Sequence, residues 1–426
     1  MSRKISYIIF ASWSYKLITK VMMKMYKQNR TAYLFVLILS ILFLYGGNRI
    51  AEQHKLSIIV QSRDSELDDQ VFAQVTAVNS TRPDQNDSTR KIVTFTAKIT
   101  SGQNKGEMVQ ATQYSYIDNP TMPPAVSQNN KVVLGKLTQD ESTEWVFENY
   151  ERIDQIILLS VILAALILIF GGKKGVHTVI ALLLTCLSVF YVFLPMILAG
   201  FNIYLCTVLV SVYVICVTFL LTGGMNRKSL AAALGCIGGV VFSGGIYLVF
   251  NHTMKLTGFY NDQSSRLMEL FANQPLNLQA VVFAMVTIGA LGATMDVAMS
   301  IASSLVEIKS NRGSRISRYI LIKSGLTIGR DIMGTMMNTL ILAYVGSSLV
   351  TLIIYAASDY PIMQLVNQEE IIVEFLQSLV GSLGMLLTIP CTTFISAMVW
   401  SEPEAPEPVA QNQRRGGGPS VHKRIS

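Results

Sequence analysis

The chain has 426 residues, of which 51% are hydrophobic and 14% are charged. Soluble domains carry about a quarter charged residues, so this composition excludes an ordinary cytosolic enzyme and indicates a polytopic membrane protein. The formal net charge is +7. These positive charges border apolar segments, so we expect the lipid bilayer as a partner and no nucleic acid. The five cysteines lie inside apolar segments without metal-binding spacing, which excludes a disulfide scaffold or zinc finger and predicts no metal and no cofactor.

Eight segments are apolar enough to cross a bilayer as helices, for which about 20 residues are needed. The first has a basic leader like that of a signal peptide, but no small-residue cleavage site follows it, so we interpret it as an uncleaved anchor. The predicted spans are 31–47, 153–170, 175–199, 202–222, 229–250, 278–303, 332–355 and 371–399.

Lysine and arginine near the span ends predict the orientation, because cytoplasmic loops are enriched in both. Residues 1–30 contain seven Lys/Arg and no acidic residue, and the 304–331 connection contains six Lys/Arg. The 356–370 loop has acidic residues and no basic one. Both termini are therefore predicted in the cytoplasm of a bacterial cell, with 48–152 outside the plasma membrane.

The two ends of the chain differ in composition from the rest. Residues 1–30 fit either an amphipathic helix on the inner leaflet or an extension outside the natural protein, because Met22, Met23 and Met25 could each start a shorter chain. The tail 401–426 is rich in proline, glycine and charge, which predicts disorder.

Residues 48–152 form a different, β-rich domain between the first two spans. They hold eleven Lys/Arg and fourteen Asp/Glu, and their apolar residues alternate over short runs bounded by turn residues. Five strands in this length predict a small barrel or sandwich, with an OB-fold as one candidate. No catalytic or metal-binding cluster is present, so we expect a scaffold, gating or interaction module. The predicted strands are 71–79, 91–99, 107–114, 131–138 and 143–150.

Two polar stripes mark the membrane domain. Ionisable residues inside spans are costly and usually face a bundle interior or water. The first polar stripe recurs every three or four residues along span six, which places its members on one helix face: Gly289, Gly292, Asp296, Ser300, Ser303 and Glu307. The second polar stripe runs along span seven: Arg330, Asp331, Gly334, Thr335, Asn338 and Thr339.

The stripes allow two interpretations. In the functional one, Asp296, Ser300, Ser303, Arg330, Asp331 and Asn338 line a path for a solute or a coupling proton. In the structural one, Asp296 pairs with Arg330 and nothing passes. Small residues are predicted at helix contacts: Gly235, Gly239, Gly289, Gly292 and Gly334. Residues 316–328 fit an interfacial helix or a re-entrant segment.

Two runs resemble the YibE/F-like family of bacterial multispanning membrane proteins. They are 292–301 (GATMDVAMSI) and 329–340 (GRDIMGTMMNTL), followed by Ala343 and Tyr344. A weaker resemblance extends over 48–400, because a β-rich segment before seven spans is similar to the YibE-type member. The resemblance implies a permease-like protein without an established substrate, and a paralogous YibF-like subunit as a partner.

The fold class predicted for this chain is an all-α membrane bundle of about eight helices with a small extracytoplasmic β domain. HExxH and GxSxG motifs are absent, and Arg330 beside Asp331 disfavours an aspartyl-protease pair, so we expect no enzyme. Transport of an unknown small solute fits the stripes. The alternative is an envelope scaffold or assembly partner that acts through the outer domain.

Overall fold

The structure is a computed structural model that describes residues 30–53, 67–83, 90–102, 104–116, 123–139, 142–271, 276–312, 316–358 and 361–400. The tail 401–426 and residues 1–29 of the basic segment lie outside the described residues. The chain divides into two compact units. The first holds the described residues up to Val210 together with Thr257–Ala280, and the second holds Ser211–Leu256 and those from Val281 onward.

The first unit begins with helix α1 (Arg30–Gln53), which contains the predicted anchor 31–47. Gly47 lies so close to Val192 that a Cβ at position 47 would come within 2.6 Å of a valine methyl carbon. A glycine at this point lets α1 pack closely against the π-helical stretch Val189–Phe193.

Five strands close into a small barrel in the order β1-β2-β3-β5-β4. All neighbouring strands are antiparallel except β3 and β5, which are parallel. The predicted barrel is therefore confirmed, and its parallel β3–β5 pair is compatible with an OB-type barrel. The strands are β1 (Leu67–Pro83), β2 (Arg90–Ile99), β3 (Met108–Tyr116), β4 (Lys131–Gln139) and β5 (Ser142–Tyr150).

The barrel has its own hydrophobic core, because alternate strand residues point inward. On β2, Val93, Phe95, Ala97 and Ile99 are buried in turn. The long strand β1 pairs with both β2 and β4, and its register shifts let it curve enough to close the sheet. Buried Gln113 accepts a hydrogen bond from the Val126 N–H at 2.8 Å, which holds the β3–β4 connection over the core.

After the barrel, one helical run of 46 residues extends from Ile153 to Leu198. It comprises α2 (Ile153–Ser188), the π-helical stretch and α3 (Leu194–Leu198). At 1.5 Å per residue it would measure about 69 Å, roughly twice the hydrocarbon thickness. Gly172 breaks it with φ 53° and ψ −125°. The break lies between the predicted spans 153–170 and 175–199.

The rest of the described chain is helical apart from its connections. The helices are α4 (Ile203–Gly223), α5 (Arg227–Met254), α6 (Asp262–Leu270), α7 (Leu278–Arg312), α8 (Arg318–Ser347), α9 (Leu349–Ala357), α10 (Ile362–Leu365) and α11 (Glu369–Trp400).

Five helical runs in the described chain are long and apolar enough to cross a membrane: the Ile153–Leu198 run, α4, α5, α7 and α11. A sixth candidate is the pair α8 and α9, bent by 61°. The chain is therefore a mostly helical, multi-pass membrane protein with a small barrel near its N-terminus. These helices and α1 overlap all eight predicted segments, and the count of eight crossings stays a prediction.

The helix at predicted span seven is longer than that span. Residues 318–328 are the first turns of α8, which ends at Ser347, so the helix begins before 332–355, and a bend follows at Ser348. The reason is packing: Gly325 and Gly329 lie against α11, which holds this polar stretch in the helix. The interfacial or re-entrant placement of 316–328 stays a prediction.

Helix α11 is packed between α5 and α8 at two glycine pairs. On α5, a Cβ at Gly235 would lie 2.6 Å from the Thr392 Cα atom, and one at Gly239 would lie 2.9 Å from the Gly384 carbonyl oxygen. On α8, a Cβ at Gly325 would lie 2.6 Å from the Thr393 methyl carbon. Spacing of four residues on each helix brings the backbones together, as in other membrane glycine motifs.

The substitution Gly235→Ala is expected to destabilise the membrane domain, because the new methyl group meets the Thr392 Cα atom, which belongs to the backbone, as well as the Thr392 side chain. Overpacking of this kind costs about 1–3 kcal/mol. Gly245 on the same helix is the matched control, since a Cβ there meets nothing within 4 Å. Gly245→Ala should be neutral or stabilising by up to about 1 kcal/mol. Unfolding in mixed micelles measures the stability of both variants. Equal effects would contradict the close packing of α5 against α11 at Gly235.

Candidate functional site

The first polar stripe lies on the outward face of α7. The inward face carries buried Thr294, whose hydroxyl accepts a hydrogen bond from Cys236 Sγ of α5 at 3.5 Å. Asp296 follows Thr294 by two residues, a rotation of about 200°. Asp296 and Gly292 are accordingly exposed, and Ser300 and Ser303 are half-buried.

The second polar stripe lies on the outward face of α8, as the first does on α7. Gly329 is buried against Ile389 of α11, and Asp331 follows it by two residues, again about 200° around the helix. Arg330, Asp331 and Asn338 are all exposed. Both stripes therefore point away from the packed interior of the second unit.

The two helices meet at Gly289 and Tyr344, where the tyrosine hydroxyl lies directly over the glycine. The short connection between α7 and α8 makes them antiparallel, so equal counts of residues from this contact reach equal depths. Asp296 lies seven residues from the contact, about 10 Å along α7, at the level of Asn338. Ser303 and Arg330 each lie fourteen residues away, about 21 Å.

Asp296 and Arg330 do not form an ion pair in the described chain. Their depths explain this, because they are separated by about 10 Å along the helix axes. Among the described residues, Asp296, Arg330, Asp331 and Asn338 have no side-chain hydrogen bond to another residue. The structural interpretation of the stripes, in which Asp296 is neutralised by Arg330, is not what the structure shows.

The glycines proposed for helix packing fall into two groups. Gly235, Gly239 and Gly289 lie against neighbouring helices within the second unit. Gly292 and Gly334 lie in the two polar stripes, and a Cβ at either position would meet nothing within 4 Å. These two glycines therefore leave open space beside the exposed charges.

The start of α8 and the end of α7 border an open groove. The groove has a volume of about 540 Å³ and is lined by Ile308 at the end of α7 and by α8 residues that include Tyr319, Lys323 and Thr327. Thr327 lies one turn before Asp331, so the groove continues the second polar stripe toward the α7–α8 connection.

Sequence inspection missed a carboxylate in the last helix, α11. Glu374 is half-buried and forms no hydrogen bond or ion pair among the described residues. It lies close enough to Tyr344 to act on it electrostatically. The signal was present, because Glu374 is the one charged residue between Ile371 and Val399, and acids inside spans are rare.

Sequence inspection also missed the hydroxyl groups along α11. Ser382, Thr392, Thr393 and Ser396 are buried, and their hydroxyl oxygens have no hydrogen-bond partner in the described chain. Thr392 faces Gly235, and Thr393 faces Gly325. Their small size permits close helix contact. Across the described residues, no group of three or more His, Cys, Asp or Glu is placed to hold a metal ion.

Comparison with known proteins supports the resemblance seen in the two motif runs. A family model described as YibE/F-like protein matches residues 159–402. The match includes both polar stripes and all of α11, and it covers more than half of the chain. No curated protein and no solved structure matches the chain. The chain therefore belongs to the YibE/F-like family.

Proposed function

We propose that this chain is a permease-like protein of the bacterial plasma membrane, and that the outward polar faces of α7 and α8 line a path for a small solute or ion. The observation that carries the proposal is the exposure of Asp296, Arg330 and Asp331, without partners in the described chain, on helices able to cross a membrane.

The cost of charge in lipid supports this proposal. A charged residue at the centre of a membrane helix costs about 2.5–3.5 kcal/mol on insertion scales. Asp296 and Asp331 lie on helices held by tight packing, so neither can rotate inward without breaking contacts at Thr294 or Gly329. Water or another polar surface is the favourable neighbour for such a face.

Each residue of the path has a proposed role. Asp296, at the depth of Asn338, binds a cation or a proton. Arg330, at the depth of Ser303, attracts an anionic group or balances the charge of an occupied path. Asp331 and Ser300 add oxygen ligands between these levels. The groove beside Lys323 and Thr327 is the proposed cytoplasmic entrance.

A path lined by two outward faces needs a further surface to close it. The family resemblance implies a paralogous YibF-like subunit, and we propose that such a subunit covers the α7 and α8 faces. In this arrangement the chain crosses the membrane eight times, both termini are cytoplasmic, and the barrel is extracytoplasmic.

A second candidate function is a non-transporting scaffold that acts through the barrel. It is favoured by the barrel's own complete core and by apolar side chains exposed on its outside, including Phe72, Val78 and Met108.

A pull-down with the intact chain tests this scaffold function. If the barrel docks one envelope protein, replacing all three of these residues with serine should abolish recovery of that protein. Unchanged recovery would count against docking through this surface.

Cysteine accessibility tests the path. On a background without the five native cysteines, single cysteines at Gly292, Asp296, Ser303, Gly334 and Asn338 should react with a membrane-impermeant thiol reagent. The reason is that water must reach these exposed positions if they line a path. Labelling is measured in vesicles of both orientations.

Two matched positions control this scan. Leu383 is exposed on an apolar face of α11 and should be silent because it faces lipid, and Ala298 is buried on α7 and should be silent because it is packed. A folded protein that stays unlabelled along both stripes would reject a water-filled path and favour a face sealed by another subunit.

A double-mutant cycle tests whether Asp296 and Arg330 act as a structural pair. The free energy of unfolding in mixed micelles is measured for Asp296→Asn, Arg330→Gln and the double variant. We expect a coupling energy within about 0.5 kcal/mol of zero, because groups about 10 Å apart are normally additive. A larger favourable coupling would restore the structural interpretation and weaken the proposed path.

A further inference from the structure

The bend between α8 and α9 borders a partly open cavity, and neither polar stripe contributes a residue to its lining. The helices turn by 61° at Ser348, and the inner side of the turn faces the first turns of α11. The cavity has a volume of about 140 Å³. Its lining is mostly apolar: Ile341, Val345, Leu352, Ile371, Phe375 and Leu379.

One carboxylate in this cavity has no partner. Glu374 lines it and forms no ion pair or hydrogen bond in the described chain. Tyr344 lines it with its ring, whereas its buried hydroxyl lies against Gly289 of α7. A carboxylate surrounded by hydrocarbon is costly unless a donor group reaches it.

Contacts beside the cavity keep it open. Glu370, one turn before Glu374, accepts hydrogen bonds from the Tyr355 hydroxyl at 2.9 Å and the Thr351 hydroxyl at 3.4 Å. These contacts hold α9 against α11 and preserve the bend. The carboxylate of Glu370 is satisfied in this way, whereas that of Glu374 is available to a ligand.

We propose that this cavity binds a small primary ammonium group carried on an apolar body. An apolar cavity of about 150 Å³ can hold a benzene ring, so a cavity of about 140 Å³ suits a ligand of similar size. The ammonium group donates to the Glu374 carboxylate, beside the ring of Tyr344. The apolar body packs against Val345 and Phe375.

Two sources supply this chemistry at a membrane surface: a free organic amine and the headgroup of an aminophospholipid. The cavity and Glu374 do not depend on the proposed path, because neither polar stripe contributes a residue to the lining. If the accessibility scan shows no labelled path, this inference about the cavity still stands. If no amine binds in the cavity, the proposed path still stands.

Binding of benzylamine and benzyl alcohol to the full-length chain in phosphatidylcholine nanodiscs tests the inference. The two probes have the same shape, but only benzylamine is cationic at neutral pH. We expect benzylamine to bind about tenfold to a hundredfold more tightly, the range given by a hydrogen bond to a charged group. Equal affinities in the wild-type protein would overturn the proposal.

Three variants sharpen this measurement. Glu374→Gln should remove the preference for benzylamine. Glu269→Gln, an exposed position on α6 outside the cavity and both polar stripes, should retain it. Val345→Phe should lower the affinity for both probes, because the larger side chain fills the cavity while the Glu374 carboxylate remains. Preference retained in a folded Glu374→Gln protein would reject the assigned role of Glu374.

The lipid composition of the nanodisc distinguishes the two sources. If phosphatidylethanolamine lowers the apparent benzylamine affinity, its headgroup occupies the same cavity. An unchanged affinity assigns the cavity to free amines. In both cases the charge preference measured in phosphatidylcholine must still hold, and its absence would contradict the site.

Discussion

The close approach of α5 and α8 to α11 is the constraint on which the second unit depends. Glycines at positions 235, 239, 325 and 329 let threonine, isoleucine and backbone atoms of α11 sit where a Cβ would otherwise be. A helix fixed on one side by such contacts has no freedom to rotate. The direction of its polar side chains therefore follows from its glycines, and on α8 this turns Arg330 and Asp331 away from the interior.

The same reasoning joins α7 to α8. Thr294 fixes α7 toward α5, and the contact of Gly289 with Tyr344 sets the depth of one helix against the other. Asp296 and Arg330 consequently lie at different levels and cannot neutralise each other directly. Packing thus leaves two charged faces without partners in the described chain, on helices long enough to cross a membrane. Lipid would solvate such faces poorly, which is the physical basis of the proposed path.

Much of this arrangement could be predicted from the sequence, because it depends on local patterns. Hydropathy located the helices, alternation located the barrel strands, and three- to four-residue spacing grouped Asp296 with Ser300 and Ser303. Periodicity shows which residues share a face but not which neighbour that face meets. The early start of α8 was missed because tertiary contacts at Gly325 hold a polar stretch in the helix. Glu374 was missed because one acid barely lowers the hydropathy of an apolar segment.

The family match shows which part of the chain is common to the family. It covers residues 159–402 and leaves the barrel outside, so features common to the family belong to the membrane helices. Within that range the second unit holds both outward polar stripes, and the Glu374 cavity lies at the α8–α9 bend. Tyr344 connects them, since its hydroxyl lies over Gly289 of the first polar stripe while its ring lines the cavity. A ligand that moves Tyr344 would therefore alter the contact that sets the depth of α7 against α8.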